Sequence, residues 1–392
     1  MLSKQTSPPL DPPRKATRQD GRRQNLQAVL QCIYQEGVTS RARISRMTGL
    51  TRATVSELVG HLAQADLVED VGPGTSSGGK PPTLIELNAN GRDIAAIDLS
   101  RRPFRGALVD LAGRIHHRVI GPAESTGEVA EVFDLIASLT EAAKAPLLGV
   151  GIGTPGIVDS DGVVVEAANL EWHGLPLRAR LNERFDLPVT VANDAHVAAL
   201  AEFSAHPGPN LVVVKIGVGI GAGIVVNGKM YLGDRPAAGE IGHIRVVEGG
   251  AQCSCGNSGC LETVASVPRI VERAAASAEI VLPAGVHLQV PEELRDASGD
   301  LAIRESVRAA GRSLGAVLAH LVAILDIHRI VIAFELEGWE AELLDAVRNE
   351  VATRVLPDLV TVMELHSSTS GPDLVLTGAA ALVLREELGV MW

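Results

Sequence analysis

The tightest constraint on this chain lies between Gly239 and Glu262, where the sequence reads GEIGHIRVVEGGAQCSCGNSGCLE. Three of the four cysteines fall here, at Cys253, Cys255 and Cys260, with His243 shortly upstream. Three thiolates and one imidazole make the Cys3His set that fills a tetrahedral Zn²⁺ site and leaves no position for water, so the expected role is structural. Gly256 and Gly259 between the cysteines favour a tight knuckle over a helix. A disulfide with a spare thiol is the alternative. An odd cluster in a chain without a secretion signal reads better as metal ligation. A metal there also fixes the direction of Glu240 and Glu262, which flank the cluster.

At 392 residues the chain is too long for one ordinary compact domain. Aromatic content is 3% against 46% hydrophobic residues, so the cores must be aliphatic. No uninterrupted apolar run reaches the roughly 18 residues that span a bilayer. The N-terminus is polar and proline-rich, unlike a signal peptide. A soluble cytoplasmic protein with no membrane partner is expected. Net charge is −12, but unevenly spread: residues 1–92 carry 12 Lys/Arg and 8 Asp/Glu, the rest 23 and 39. A small basic module on a large acidic body is the asymmetry expected when only one end meets phosphates.

Residues 1–20 show no apolar periodicity and read as a disordered tail. Leu26, Val29, Leu30 and Ile33 then recur at helical spacing over Arg22–Gln35. Ser40 can cap a short second helix with Ile44 and Met47 facing inward. After Gly49, Thr51 can cap a third helix, Arg52–Ala65, which buries Val55, Leu58, Val59 and Leu62. Helix, glycine-bearing turn, helix is the layout of a helix-turn-helix, whose second helix enters the major groove. Arg41, Arg43, Thr51, Arg52, Thr54 and Ser56 are the candidate DNA contacts, since Arg grips guanine and Thr meets phosphate or a thymine methyl. Strands at Leu67–Val71 and Thr83–Leu87, joined by a flexible loop carrying Lys80, complete a winged helix-turn-helix over residues 21–90. A generic three-helix interaction module is the alternative.

From residue 91 to 392 the pattern is α/β. Strands are expected at Ile94–Leu99, Gly106–Asp110, Ile115–Val119, Leu147–Ile152 and Pro188–Val191, then at Leu211–Ile216, Gly223–Val226, Lys229–Tyr231 and Ile330–Ala333. Helices are expected at Val129–Ala143, Ala195–Ser204, Thr263–Ala278, Ala302–Leu325 and Leu374–Leu388. The segment GVGIGAG (Gly217–Gly223) runs into strand rather than helix, which excludes a dinucleotide fingerprint and suits a tight strand–turn–strand. Gly311 and Gly315 mark close helix packing. Cys32 reads as a small core residue.

GEIGH followed by CxCGxxGCLE resembles the zinc signature of the ROK family, which contains bacterial sugar kinases and sugar-responsive transcriptional regulators. The resemblance extends from about Arg22 to the end and implies a duplicated actin-like, ribonuclease-H-like sugar-kinase fold with ligand in the cleft between its halves. It also implies that Asn193, Asp194, Glu240, His243 and Glu262 hold sugar hydroxyls, Asp194 matching the kinases' general base. Helix capping by Asn193-Asp194 and a purely metal-orienting role for the two glutamates are the alternatives. The kinases' nucleotide segments depart here. DxGxT has become Asp98-Leu99-Ser100-Arg101-Arg102, Val218 stands where a phosphate-binding Thr is found, and a late Gly-Gly pair reads Phe334-Glu335. A sugar site without phosphate contacts implies a sensor, not an enzyme. The expectation is a repressor of carbohydrate genes with one structural Zn²⁺, a sugar effector and a palindromic operator bound by a homodimer or dimer of dimers. An active or bifunctional sugar kinase is the rival reading; a regulator with a vestigial cleft, triggered by a partner protein, is another.

Overall fold

The computed structural model describes residues 18–74, 81–282, 285, 288–295 and 297–391. The chain divides into two compact units, Met1–Asn88 and Ala89–Trp392. Lys80 lies outside the described residues, as does most of the N-terminal tail. The first helix, Arg18–Glu36, begins inside the segment that composition assigns to the tail.

In the first unit, helices Arg41–Thr48 and Arg52–Gln64 follow the first helix. Both start at the residues the sequence marks. Ser40 Oγ accepts from Arg43 N at 3.3 Å, and Thr51 Oγ1 accepts from Thr54 N at 3.2 Å. Such caps satisfy amide groups that the helix cannot, each worth about 1 kcal/mol. Gly49 ends the second helix in the left-handed region at φ 72°, where a side chain would be strained. Val29, Leu30, Ile33, Ile44, Val55, Leu58, Val59 and Leu62 form the core, with Cys32 buried beside them. Met47 joins it only in part: its Sδ lies 3.5 Å from Cys32 Sγ, but the residue is 48% exposed. The helix is only two turns long, and its buried face is filled by Ile44. Strands Val68–Pro73 and Thr83–Leu87 pair antiparallel. A two-residue strand, Thr39–Ser40, that the sequence did not reveal adds to the edge of Thr83–Leu87.

The second unit holds two five-stranded sheets. The first runs Val189–Asn193, Leu147–Thr154, Asp93–Asp98, Arg105–Asp110, Ile115–Ile120 in spatial order. The second runs Lys229–Met230, Ile220–Val226, Leu211–Ile216, Arg329–Phe334, Glu364–Ser367. Each has its three earliest strands as an antiparallel meander and its two later strands parallel to the first. Helices Asp194–Ala205 and Leu374–Val383 cross closely: a Cβ at Gly378 would sit 1.9 Å from the Val197 carbonyl oxygen. The final helix closes with a π turn, Leu384–Leu388.

The stretch read as one helix, Thr263–Ala278, is two: Glu262–Ala265 and Val267–Ser277, broken at Ser266. Pro268 is the reason. It has no N–H for the Val264 carbonyl and tolerates only a first-turn position. Arg273 Nη1 donates to that freed carbonyl at 3.1 Å.

The long helix Ala297–Leu325 contains a segment, Gly299–Leu325, long and apolar enough by composition to cross a membrane, although charged residues interrupt it. Its Ile303, Val307, Leu314, Leu318 and Val322 are buried in the core of the second sheet's half. Gly311 and Gly315 let helix Glu340–Ala352 approach; Cβ atoms there would lie 2.9 Å from the Leu343 and Val347 carbonyl oxygens.

Candidate ligand cavity and metal centre

His243, Cys253, Cys255 and Cys260 converge, their ligand atoms all within 4.8 Å of one another. The knuckle is closed by Cys253 N donating to Asn257 O at 2.7 Å and Gly256 N to Cys253 O at 3.0 Å. Tetrahedral zinc, with Zn–S near 2.3 Å and Zn–N near 2.0–2.1 Å, places two sulfurs about 3.8 Å apart and a sulfur about 3.6 Å from a nitrogen. Cys255 Sγ and Cys260 Sγ are 3.8 Å apart, and Cys253 Sγ lies 3.6 Å from His243 Nδ1. All three cysteines are free thiols, and a sulfur separation of 3.8 Å is far beyond a disulfide bond. Burial and the neighbouring Cys255 and Cys253 push the Cys260 thiol up to about 12, a penalty that a bound cation would offset. The donor set fits a metal ion.

The imidazole serves two sides. Nδ1 faces the cysteines, while Nε2 lies 3.7 Å from Glu240 Oε2. A metal on Nδ1 thus aims the other ring nitrogen at a carboxylate, the arrangement that orients metal-bound histidines.

All five residues expected to hold sugar line one cavity: Asn193, Asp194, Glu240, His243 and Glu262. Three pieces of local structure deliver them: the strand–helix junction at Asn193-Asp194, the short turn holding Glu240 and His243, and the end of the knuckle at Glu262. Asn193 ends a strand, and its Oδ1 accepts from Ala195 N (2.9 Å) and His196 N (3.1 Å), capping helix Asp194–Ala205. Its Nδ2 donates to Gly156 O at 2.8 Å. The capping reading of Asn193 therefore holds alongside its place on the cavity wall. Glu262 follows the knuckle directly and accepts from Ile220 N at 3.1 Å. The glycine turn is shaped for it: a Cβ at Gly219 would lie 2.7 Å from Glu262 Oε2. Burial, with Asp194 and Glu262 nearby, pushes Glu240 up to about 7. Burial also raises Glu262, against the pull of His243.

Four polar lining residues were not among the expected sugar contacts: Ser100, Asn169, Lys215 and Ser254. Lys215 matters most. It is 5% exposed on strand Leu211–Ile216, and its Nζ lies 3.2 Å from Asp194 Oδ2 and 3.1 Å from Glu335 Oε1. Asp98, fully buried, pairs with Arg105, accepts from Ser100 N at 2.9 Å and adds its field to Lys215. Burial disfavours the ammonium, but Glu335, Asp194 and Asp98 outweigh it and raise Lys215 above its usual range. Burial pushes Asp194 up; Lys215 opposes this, while Asp98 and Glu335 add to it. Burial likewise works against Asp98, yet Arg105 and Lys215 hold it below the ordinary carboxylate range. Lys215 also borders a second cavity of about 270 Å³, lined by Arg101, Phe334, Glu335 and Pro372 among others. Glu335 fills the space beside the glycine turn, where a Cβ at Gly217 would lie 2.6 Å from its carboxylate.

The candidate DNA contacts fall around helix Arg52–Gln64. Thr51, Arg52 and Ser56 are exposed, and Thr54 is half-buried against Thr51. Arg41 and Arg43 are engaged within the unit, with Asp70 at 3.4 Å and with Glu36 respectively.

Two mixed sheets around crossed helices, with a carboxylate-lined cavity beside a Cys3His knuckle, are the frame of a sugar-kinase-like protein. The chain belongs to the ROK family, which it matches over residues 94–386. It is 30% identical to the xylose repressor of Bacillus spizizenii, over 94% of this chain and 96% of that one. Among solved structures it resembles a ROK family transcriptional regulator, a homolog of the Escherichia coli MLC protein (26% identity, TM-score 0.77, covering 94% of this chain and 96% of that one). It also resembles a ROK family glucokinase from Streptomyces griseus in complex with glucose and AMPPNP (28% identity, TM-score 0.62), which covers 74% of this chain and 98% of the glucokinase.

Proposed function

We propose that this chain is a DNA-binding transcriptional repressor of carbohydrate genes, acting in the cytoplasm, whose sugar effector binds the cavity beside a zinc-filled knuckle. Coverage carries the reading. The repressor relative extends over 94% of the chain, whereas nearly the whole glucokinase is accounted for by 74% of it and the family match begins at residue 94. The additional part is the unit of three helices and a small sheet, which we read as a winged helix-turn-helix over residues 21–90. Thr51, Arg52, Thr54 and Ser56 then present to the major groove. Arg41, Arg43 and Lys80 supply charge for phosphates. A homodimer or dimer of dimers reads a palindromic operator.

The body, residues 91–392, is read as the duplicated ribonuclease-H-like fold, the shared strand order of its two sheets supporting the duplication. Zn²⁺ is held by His243, Cys253, Cys255 and Cys260. Glu240, Glu262 and Asp194 accept from sugar hydroxyls, and Asn193 and His243 supply donors. An unphosphorylated aldose fits a wall with three carboxylates, and xylose is the first to test, given the relative's name. Lys215 supports the absence of catalysis. Its ammonium occupies Asp194, which would otherwise take a hydroxyl proton, and Glu335 crowds the turn where phosphates would need bare amides. Sugar alters DNA affinity by its differential affinity for two states of the cleft.

A gel shift on the gene's upstream DNA, with and without xylose and across a salt series, tests this. Saturable, xylose-responsive binding is expected. Binding that is nonspecific at every salt concentration would overturn it. The kinase rival rests on the retained Asp98 and Asp194; sugar-dependent ADP release would establish it instead.

A further inference from the structure

A second charged site lies away from the sugar cavity, between helices Val267–Ser277 and Ala297–Leu325. Arg273, Arg308 and Arg312 line a shallow cavity together with Ser277, Ser306 and Glu305. Several arginines of this half have carboxylate partners: Arg269 with Glu272 at 2.6 Å, Arg304 with Glu342 at 2.9 Å, Arg354 with Glu350 at 2.6 Å; Arg295 and Arg329 donate to carbonyls instead. Among the described residues Arg273, Arg308 and Arg312 have none, although the body of the chain is strongly acidic.

Arg273 is the anchored member of the site, and Arg308 and Arg312 stand exposed at its rim. Arg273 is held from two sides, Nη1 donating to Val264 O at 3.1 Å and Nη2 to Ser306 O at 2.6 Å. Both acceptors are neutral carbonyls, so the guanidinium charge stays uncompensated, and its buried Nε has no hydrogen-bond partner. Arg308 and Arg312 stand four residues apart on one helix face, a like-charge spacing that destabilises a helix. Burial, and after it Arg312, lower the Arg273 guanidinium from its usual range while leaving it charged. Glu305 is the one acid on the wall and leaves the site net positive. Three guanidiniums with two serine hydroxyls match the planar-fork and hydroxyl chemistry that recognises a phosphoryl group.

We propose that the Arg273–Arg308–Arg312 cavity binds the phosphoryl group of a small phosphorylated metabolite, separately from the sugar cavity. An empty site of this kind is self-repelling and an occupied one is not, which gives the proposal a signature that a packing role lacks.

The test uses the full-length, zinc-loaded chain, with thermal melts and calorimetric titration. Inorganic phosphate and glycerol phosphate are the probes, against chloride at equal ionic strength. Both probes should raise the Tm of the unmodified chain, and chloride should not. Arg312→Gln should leave or raise the Tm without phosphate and weaken phosphate binding about tenfold, with Arg308→Gln adding to the loss. Binding of glycerol phosphate no weaker than inorganic phosphate supports an ester ligand; binding of inorganic phosphate alone overturns the metabolite assignment. Equal responses to phosphate and chloride, or an Arg312→Gln chain that binds phosphate unchanged, would overturn the site itself.

Discussion

On one side of Lys215 lie Glu240, His243 and Glu262, a wall whose polar groups have few partners inside the protein. On the other lie Arg101 and Glu335, with Asp98 and Arg105 beneath, linked to Lys215 and to one another. The two regions use the same kinds of side chain. They differ in what the fold leaves free. The knuckle holds the first set from behind and leaves carboxylate oxygens facing the cavity. The second set is tied by ion pairs that a ligand would have to displace, although Arg101 Nε, Arg105 Nε and Glu335 Oε2 are buried without a hydrogen-bond partner. What separates the two walls is counter-charge: among the described residues Glu240 and Glu262 have no lysine or arginine partner, whereas Asp98 and Glu335 do.

The strongest way to break the comparison is to remove the metal. Structural zinc contributes on the order of 10 kcal/mol to the folded form. Chelation, or Cys260→Ser, should lower the Tm sharply and abolish sugar binding, read by calorimetry beside zinc content; retained sugar affinity in a zinc-free chain would detach the cavity from the knuckle. Next comes Asp98→Asn, which leaves Arg105 and Lys215 short of a buried counter-charge and should cost about 3–5 kcal/mol at neutral pH by denaturant unfolding. The sign with pH is fixed. A carboxylate held below its unfolded value contributes above that value, and the contribution fades as pH falls through the depressed one. The gap between the two chains should therefore close only in acid below the ordinary carboxylate range.

A paired substitution sharpens the contrast. Glu262→Gln removes a charged acceptor and should cost about 1.5–3 kcal/mol of sugar affinity. Glu335→Gln should lower stability yet leave sugar affinity within about threefold, since a side chain that does not touch ligand shifts binding by well under 1 kcal/mol. The reverse pattern would mean the two cavities have been assigned the wrong way round. The smallest effect is expected outside both: Arg52→Ala should weaken operator binding by about 1–2 kcal/mol in a gel shift and leave sugar affinity unchanged.

The knuckle was legible in the spacing of its Cys and His residues, and the five cavity residues were named through the family resemblance rather than by any spacing of their own. The caps at Ser40 and Thr51 were legible in their local sequence, being decided within three residues. Lys215 was not. Its sequence neighbours are those of any buried strand, and its partners Asp98, Asp194 and Glu335 come from distant parts of the chain. Met47 failed because helical spacing names a face but not how much of that face is covered. The break at Ser266 is written in Pro268, but the apolar period runs on through it and masks the stop. The small sheet of Ile157–Val158, Val164–Ala167 and Trp172–Leu175 has strands too short for a period to show.

Calorimetric titration of the zinc-loaded chain with xylose and, separately, with Mg·ATP tests the contrast between the cavities most directly. Saturable heat with the sugar, none with ATP and no ADP formed when both are present is the predicted result. Tight ATP binding with sugar-dependent release of ADP would contradict it.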